Sequence, residues 1–300
     1  MAREIVLLTN PVSGRGTARR TAAIVVPRLT EAGFHVRQVE GRDASETEDL
    51  ARQAVADGVE SLVVVGGDGL VHLAVQALAH SDTALGVVPA GTGNDAARML
   101  GVPRTDPQRA ADVVVASRVR TIDLARTGGR RFLCVLSAGF DAIVNERANA
   151  MRWPRGQMRY NLATLAELRV FRPIDYTLDL DGDVRRVRAM MVAVGNGPSF
   201  GGGLRITEGA SVTDGLLDVV FFHPISKPDL VRTYPTLFNA THRDHPAFEH
   251  HRVHTVSIAA AGITAYADGE RLGPLPLTVT AEPAALKVLV GHDWVGAEHD

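Results

Sequence analysis

The side chains most suited to chemistry in this chain lie in three glycine-rich segments. The first, Gly66-Gly67-Asp68-Gly69, directly follows the apolar run 62–65. Glycine lets a main chain approach a phosphate group closely with its N–H groups free, and a carboxylate such as that of Asp68 can hold Mg²⁺. The same residues also suit an ordinary strand-to-helix turn with Asp68 as the N-cap. The segment alone leaves phosphate binding and turn chemistry open.

The second segment lies nearer the amino terminus and consists of Asn10, Pro11, Val12, Ser13 and Gly14. Its Asn-Pro and Ser-Gly pairs are typical of turns. The Ser13 hydroxyl and the amides at the start of the next helix could instead cradle a nucleotide phosphate. On these residues alone, an ordinary turn is favoured over a phosphate site.

The third segment, Gly91-Thr92-Gly93-Asn94-Asp95-Ala96, has the form of the dinucleotide fingerprint G-x-G-x-x-A. It follows a late strand rather than the first, and no acidic residue suited to a ribose ends the next strand, so we reject a dinucleotide site. Asn94 could instead bond to a nucleotide, and Asp95 could reach Mg²⁺ through water. Either residue could equally cap the helix that runs to Leu100.

Acidic residues further along the chain are also candidates. Asp268-Gly269 is a hairpin-turn signal that places Glu270 at the exit of the turn, where it could take a proton from a substrate hydroxyl. Most glutamates in such places are only solvated. Asp214 opens a strand, and its carboxylate with nearby carbonyl groups could hold a cation. The histidines between 242 and 254 fit no zinc-binding spacing and favour a polar surface connection.

The elements that must position the glycine-rich segments alternate between short apolar strands and amphipathic helices from Glu4 to about Ala116. This alternation predicts a parallel, doubly wound α/β layer. In such sheets ligands bind beyond the carboxyl ends of the strands, which is where all three segments fall. Within this layer, Ser45 and Glu48 predict a capping box at the start of a helix that ends at Ala56.

Near Arg120 the pattern changes to a mostly β segment. Two strands, 120–126 and 131–138, are joined by a glycine turn that predicts a hairpin, and further strands follow. Helices are expected at 161–170 and 227–238. The sequence therefore predicts a second, largely antiparallel domain with a boundary near Ile122.

Composition narrows the functional class. A chain of 300 residues with 45% hydrophobic and 22% charged residues predicts two folded domains. The net charge of −2 gives no support for a nucleic-acid binder. The chain has no apolar run of the roughly 20 residues that span a bilayer, its start does not resemble a signal peptide, and its single cysteine, Cys134, is predicted to be a reduced core thiol. We therefore expect a soluble, cytoplasmic protein.

Lysine is almost absent from the chain. Lys227 and Lys287 are its only lysines, so the first 226 residues cannot contain a P-loop lysine or a protein-kinase strand lysine. A phosphate bound there must be met by backbone N–H groups, arginine or a metal ion. Between Arg147 and Arg172, arginines alternate with apolar and aromatic residues, which suits either an anionic membrane surface or a solvated helical face.

Taken together, these motifs resemble the soluble bacterial diacylglycerol kinase family, which is related to sphingosine and ceramide kinases, and most closely its actinobacterial members. The resemblance spans about Ile5 to Val290. The motifs occur in the family order: Asn10-Pro-Val-Ser-Gly, Gly66-Gly-Asp-Gly, Pro89-Ala-Gly-Thr-Gly-Asn-Asp, Ser137-Ala-Gly-Phe-Asp-Ala, Gly201-Gly-Gly, Asp214-Gly-Leu-Leu-Asp and Asp268-Gly-Glu.

The resemblance implies an amino-terminal nucleotide-binding domain similar to phosphofructokinase and NAD kinase, over residues 1–122 with strand 284–300 returning to it. It also implies a carboxy-terminal, mostly antiparallel β-sandwich over 123–283 that helps to bind lipid. The residues implied to contact ATP are Asn10, Pro11, Val12, Ser13, Gly14, Gly66, Gly67, Asp68, Gly69, Leu70, Val71, His72, Thr92, Asn94 and Asp95.

The resemblance also implies roles in catalysis and metal binding. Asp68 and Asp95 would position the phosphates and a catalytic Mg²⁺, and Glu270 would accept the proton. A structural Mg²⁺ would take the Asp214 carboxylate with the main-chain oxygens of Ser211 and Leu216, and Asp141 would touch the lipid head group or cap a helix. Leu70 stands where the family usually has threonine, and loss of that hydroxyl is expected to weaken a phosphate contact.

The function implied is ATP- and Mg²⁺-dependent phosphorylation of diacylglycerol to phosphatidic acid, by a peripheral enzyme at the inner face of the membrane that could form a homodimer. Another lipid alcohol, such as a sphingoid base, ceramide or monoacylglycerol, is the alternative acceptor. An NAD kinase is less favoured because the chain lacks the expected Gly-Ser-Thr-Ala-Tyr segment. A non-catalytic lipid-binding regulator is disfavoured because Asp68, Asp95, Asp214 and Glu270 occur together.

Overall fold

The computed structural model describes residues 3–10, 16–139, 147, 151, 153, 172–292 and 294. The chain divides into two compact units. The first comprises Met1–Leu124, Ser211–Gly215 and Glu282–Asp300, and the second comprises Ala125–Ala210 and Leu216–Ala281. The short segment Ser211–Gly215, which the sequence reading placed in the second domain, therefore belongs to the first unit.

The amino-terminal elements alternate between strand and helix. They are β1 (Arg3–Thr9), α1 (Thr17–Glu31), β2 (Phe34–Glu40), α2 (Ala44–Ala56), β3 (Ser61–Gly66), α3 (Asp68–Leu78), β4 (Ala84–Pro89), α4 (Asp95–Met99), α5 (Pro107–Ala116) and β5 (Val119–Thr127).

Later elements are mostly strands. They are β6 (Arg130–Phe132), β7 (Val135–Gly139), β8 (Ile174–Leu180), β9 (Asp183–Ala189), β10 (Met191–Gly195), β11 (Leu217–Phe222), α6 (Lys227–Thr233), β12 (Phe248–Val253), β13 (Thr255–Ala259), β14 (Thr264–Ala267), β15 (Glu270–Pro274) and β16 (Leu277–Leu289).

The first unit is built on a parallel sheet. Its strand order is β2-β1-β3-β4, followed by the carboxy-terminal part of β16, which pairs with β4 in parallel. Every residue of β3 and β4 is buried, as expected for central strands covered on both faces. The chain order reverses between β1 and β3, and open α/β sheets bind ligands at such a switch point. The predicted α/β layer is confirmed.

The second unit contains two antiparallel sheets. One has the order β12-β11-β10-β7-β14-β15, and the other joins the first residues of β16 to β13, β8 and β9. Alternate residues of both sheets form one apolar core that includes Leu136, Phe221, Leu178 and Val256. This arrangement confirms the predicted β-sandwich, and Cys134 is buried as a free thiol, as expected.

Several local predictions were wrong, beginning with the capping box of α2. Its N-cap is Asp43, not Ser45, and the Asp43 carboxylate accepts from the Glu46 amide at 2.9 Å. The Glu46 carboxylate reaches back to the Arg42 amide at 2.7 Å, so Glu46 rather than Glu48 completes the box. Aspartate is as strong an N-cap as serine, and here it begins the helix two residues earlier than predicted.

Two further corrections have clear physical causes. The strand predicted at 131–138 is divided into β6 and β7 because the amides of Leu133 and Cys134 donate to the Asp268 carboxylate and not to a neighbouring strand. The helix predicted at 227–238 is α6 followed by a 3-10 turn at Tyr234–Phe238, because Pro235 lacks an amide donor and disfavours helix at the preceding residue. The helix predicted at 161–170 lies outside the described residues.

Candidate active site

The turn between β3 and α3 presents its main chain at the positive end of a helix. Gly67, not Asp68, is the N-cap of α3, and its carbonyl oxygen accepts from the amides of Leu70 and Val71 at 3.1 and 3.2 Å. Asp68 and Gly69 are the first two residues of the helix, where the backbone N–H groups point out of the helix end. This end of α3 therefore has the amide donors and the dipole that favour an anion.

The residues after this turn are interior positions. Leu70, Val71 and His72 are each 4% exposed or less. A Cβ atom on Gly66 would lie 2.7 Å from Leu70 Cδ2, so the Leu70 side chain packs directly over the Gly66 main chain. Leucine in place of the family's threonine thus fills space above β3, and the proposed nucleotide contacts of these three residues stay predictions.

The turn after β4 is folded by Asn94. Asn94 adopts a left-handed backbone conformation, with φ 52°, at the N-cap position of α4. Its side-chain amide donates to the Gly91 carbonyl oxygen at 2.9 Å, and its Oδ1 accepts from the Gly91 amide at 3.0 Å. The Asn94 side chain therefore closes its own loop and does not cap α4. Thr92, in the same loop, is exposed.

The cap of α4 comes from the other glycine turn. Asp68 Oδ1 accepts from the Ala96 amide at 3.1 Å, so the Asp68 carboxylate lies beside the peptide that joins Asp95 to Ala96. Asp95 is itself 6% exposed, with Arg98 Nε 3.6 Å from its Oδ1. The structure thus brings together the two acidic residues that the sequence analysis assigned to the phosphates and Mg²⁺.

The two glycine turns touch through their main chains. The Ala90 amide donates to the Gly66 carbonyl oxygen at 2.8 Å. A Cβ atom on Gly91 would lie 2.5 Å from Gly67 Cα, and one on Gly67 would lie 3.1 Å from Gly91 Cα. Contact this close leaves no room for a side chain at Gly91, so the two turns meet through their backbone groups next to Asp68.

Of the second glycine-rich segment, Asn10 to Gly14, only Asn10 belongs to the described residues. Thr9 pairs with Val65 across β1 and β3, so half-buried Asn10 leaves β1 beside the point where Gly66 ends β3. Pro11, Val12, Ser13 and Gly14 lie outside the described residues. So do Asp141 and most of the arginine-rich segment 147–172.

An aspartate that the sequence analysis overlooked organises the predicted cation loop. Asp123 is 4% exposed on β5, and its two oxygens accept from the amides of Gly215 and Ala284, each at 2.7 Å. Its own amide donates to the Val212 carbonyl oxygen at 2.7 Å. The sequence signal that could have indicated this role is the position of the aspartate between Ile122 and Leu124. A carboxylate between two buried apolar residues of a strand needs hydrogen-bond donors.

The residues assigned to the structural Mg²⁺ belong to this loop and its exit. Ser211 is buried, Asp214 is exposed and Leu216 is half-buried just before β11. Among the described residues there is no cluster of three or more histidine, cysteine, aspartate and glutamate side chains suited to a metal. A site of one carboxylate and main-chain oxygens, or of one or two carboxylates and substrate phosphates, needs no such cluster.

Glu270 is positioned by a tight hairpin in the second unit. Asp268 and Gly269, with φ 51° and 85°, form the two-residue loop between β14 and β15, as the sequence predicted. Glu270 pairs with Ala267 across this turn, and its side chain is exposed. A carboxylate with this exposure is open to a substrate hydroxyl that binds beside the hairpin.

Comparison with known proteins follows the same division of the chain. Residues 4–127 match the diacylglycerol kinase catalytic domain, and residues 134–290 match the YegS C-terminal NAD kinase beta sandwich-like domain. A diacylglycerol kinase of Mycobacterium tuberculosis is 44% identical over 95% of this chain and 94% of its own length. The chain belongs to the diacylglycerol kinase family. A Bacillus subtilis diacylglycerol kinase is 26% identical, over 90% of each chain.

Solved structures of this kinase family share the fold. A diacylglycerol kinase from Bacillus anthracis superposes with a TM-score of 0.74 at 19% identity, over 97% of each chain. A further structure from the same organism gives a TM-score of 0.82 at 21% identity, over 97% of this chain and 96% of the other. By its membership of the diacylglycerol kinase family, the protein is a lipid kinase. Its described helices include none that is both long and apolar enough to cross a bilayer.

Proposed function

We propose that this lipid kinase transfers the γ-phosphoryl group of ATP, in the presence of Mg²⁺, to the free hydroxyl of diacylglycerol and so forms phosphatidic acid. The observation that carries the proposal is the contact between the two glycine turns, with the Asp68 carboxylate beside the Asp95–Ala96 peptide. The acceptor is proposed from the similarity to the M. tuberculosis protein, whose name specifies diacylglycerol.

The proposed chemistry divides between backbone, carboxylates and base. Phosphoryl transfer needs positioning and charge stabilisation more than covalent help from the protein. The amides at the start of α3 would bind the phosphates, and Asp68 and Asp95 would supply oxygen ligands of the kind that Mg²⁺ prefers. Mg²⁺ would neutralise charge on the phosphate oxygens. Glu270 orients the lipid hydroxyl and accepts its proton.

A second Mg²⁺ is proposed at the loop that Asp123 holds. The Asp214 carboxylate and the main-chain oxygens of Ser211 and Leu216 would be its ligands. Supporting this, the Asp123 hydrogen bonds fix Val212 and Gly215, which flank the proposed ligands in the chain. A loop anchored in this way needs little reordering on binding, which favours affinity.

The test of the main proposal is transfer of label from γ-labelled ATP to mixed lipid vesicles. Asp68→Asn keeps an oxygen for the Ala96 amide but removes the charge, and Glu270→Ala removes the base, so each should reduce turnover to a small residual rate in a folded protein. Asp106→Asn is the matched control, because Asp106 caps α5 through the amides of Gln108 and Arg109 and asparagine caps equally well. Wild-type turnover in either test variant would remove the role assigned to that residue.

The same assay separates the alternative acceptors. A panel of diacylglycerol, monoacylglycerol, ceramide, a sphingoid base and NAD, with mass detection of the product, should give phosphatidic acid as the main product. Label on NAD would indicate an NAD kinase. Absence of transfer to every acceptor by folded protein would indicate a non-catalytic lipid-binding protein.

We also propose that the enzyme acts peripherally on the cytoplasmic side of the membrane, where ATP is supplied. In support, Val231 and Phe238, on α6 and the turn after it, are 52% and 47% exposed, and the Arg232 side chain is 80% exposed. Apolar side chains beside a basic group suit an anionic lipid surface. Vesicle flotation should therefore show binding that requires anionic lipid and weakens in Phe238→Ser. A homodimer stays a prediction that light scattering can check.

A further inference from the structure

Asp268 holds the tip of the hairpin that carries Glu270. Its Oδ2 accepts from the Leu133 amide at 2.7 Å, and its Oδ1 accepts from the amides of Cys134 and Val135 at 2.9 and 3.2 Å. The Asp268 amide donates in return to the Val135 carbonyl oxygen at 3.2 Å. One side chain thus joins the turn to three consecutive residues at the junction of β6 and β7.

Only a short acidic or amide side chain can serve in this place. The left-handed φ of 51° is one that aspartate and asparagine tolerate far better than larger residues. Three amide donors converge on the carboxylate, and an asparagine would direct its own NH₂ group at one of them. Aspartate therefore satisfies both the backbone conformation and all three donors.

The position of Glu270 depends on this tip because β15 is an edge strand. Among the described strands, β15 is the last of its sheet and pairs only with β14. The pairing is also irregular, since its register shifts between Ala265 and Tyr266. Glu270 is the first residue of β15, so its main chain is held by the pair with Ala267 and, two residues earlier, by the Asp268 hydrogen bonds.

We infer that Asp268 is a positioning residue for the phosphoryl-transfer reaction, which sets the place of the Glu270 carboxylate by fixing the hairpin to the β6–β7 junction. This inference rests on the proposed function, in which Glu270 is the base. Asp268 acts only through Glu270 and does not itself contact the reacting groups. Its loss should lower kcat and leave the KM for ATP nearly unchanged.

The second sheet of the same unit provides a matched control. Asp181 and Gly182 form the two-residue turn between β8 and β9, with φ 52° and 95°. The Asp181 carboxylate accepts from the amides of His254 and Thr255, each at 2.8 Å, and its amide donates to the Thr255 carbonyl oxygen at 3.2 Å. The turn has the same construction as that of Asp268, but no residue assigned to catalysis follows it.

The experiment compares Asp268→Asn with Asp181→Asn in the full-length enzyme. Both should lower the thermal midpoint by similar amounts, because each replaces one acceptor oxygen with a donor. Only Asp268→Asn should lower kcat, by about 10- to 100-fold, the range expected when a reacting group moves by about 1 Å. Equal kcat values for the two variants at equal folded fractions would overturn the inference.

A double variant separates failure of this inference from failure of the proposed function. In an Glu270→Ala background, Asp268→Asn should cause no further loss of the residual turnover, because the two residues act as one unit. A further loss would mean that Asp268 does not act through Glu270. Full turnover in Glu270→Ala alone would instead remove the assignment of the base.

A second pair of variants covers the case in which Asp268→Asn does not fold. A Cβ atom at Gly269 or at Gly182 would meet no atom of the described residues within 4 Å, so alanine at either position adds chiefly the strain of a left-handed φ. Gly269→Ala should reduce kcat several times more than Gly182→Ala at a similar loss of stability. Equal kcat values in this pair would overturn the inference as well.

Discussion

Gly91→Ala tests whether the contact of the two glycine turns forms the nucleotide site. The new Cβ atom would lie 2.5 Å from Gly67 Cα and 2.9 Å from Asn94 Oδ1. Carbon atoms in contact are normally about 3.5–4.0 Å apart, so the turns must separate by about 1 Å or more. Since the obstacle on the Gly67 side is main chain, it cannot move aside as a flexible side chain would.

The expected effects are a moderate loss of stability and a large loss of activity. Overpacking of this kind costs about 1–3 kcal/mol of unfolding free energy. A displacement of about 1 Å at the phosphate-binding turns should lower kcat/KM by about 100-fold. Both quantities can be obtained from one preparation, by urea denaturation and by the labelled-ATP assay with diacylglycerol vesicles.

Gly86→Ala is the control for stability alone. A Cβ atom there would lie 3.2 Å from Leu289 Cδ1 and from Val63 Cγ2, which are side-chain ends inside the sheet of the same unit. This variant should be destabilised, with kcat/KM within about threefold of wild type at equal folded fractions. If Gly91→Ala retained wild-type kcat/KM and nucleotide affinity, or if Gly86→Ala lost as much activity, the reasoning about the turns would be refuted.

Three further predictions concern other buried groups. Asp123→Asn places an NH₂ group against a backbone amide donor, so it should lower the free energy of unfolding in urea by about 1–3 kcal/mol. Asp112→Asn, at an exposed ion pair, should lower it little, and equal losses in the two variants would contradict the prediction. Burial lowers the pKa of His242 below its ordinary 6.5, so as the pH falls the unfolded chain takes up a proton before the folded one does. The free energy of unfolding should therefore be full above pH 6.5 and decrease below it. His242→Gln should flatten this dependence on pH, and the same dependence in variant and wild type would refute the argument. Leu70→Thr should lower the free energy of unfolding by about 2 kcal/mol, because packing over Gly66 is lost, and should not raise turnover. A variant with higher turnover and unchanged stability would show instead that Leu70 faces the nucleotide.

Elements that depend on neighbouring residues could be read directly from the chain. The buried strands β3 and β4 are mostly apolar runs that lead into glycine-rich turns, and Asp268-Gly269 is a two-residue hairpin loop. Where two adjacent signals compete, as with Asp43 and Ser45 at the start of α2, the pattern did not show which residue caps the helix. The difference is small in energy, since the two residue types cap almost equally well.

Features that depend on a remote partner could not be read in this way. The interruption between β6 and β7 results from Asp268, which lies more than 130 residues further along the chain. The anchoring of the Ser211–Gly215 loop requires Asp123 on β5. In both cases one carboxylate accepts hydrogen bonds from backbone amides in another part of the chain. The residues that carry those amides have no local sequence pattern that predicts the contact.

The pattern of apolar runs and glycine turns was enough to indicate a doubly wound α/β layer, a β-sandwich and the three phosphate-site candidates, because period, turn chemistry and strand ends are local properties. The fold alone brought Asp68 to the Asp95–Ala96 peptide, packed Gly67 on Gly91 and gave Asp268 its three donors. Such contacts arise only when strands distant in sequence become neighbours and buried polar groups must find partners.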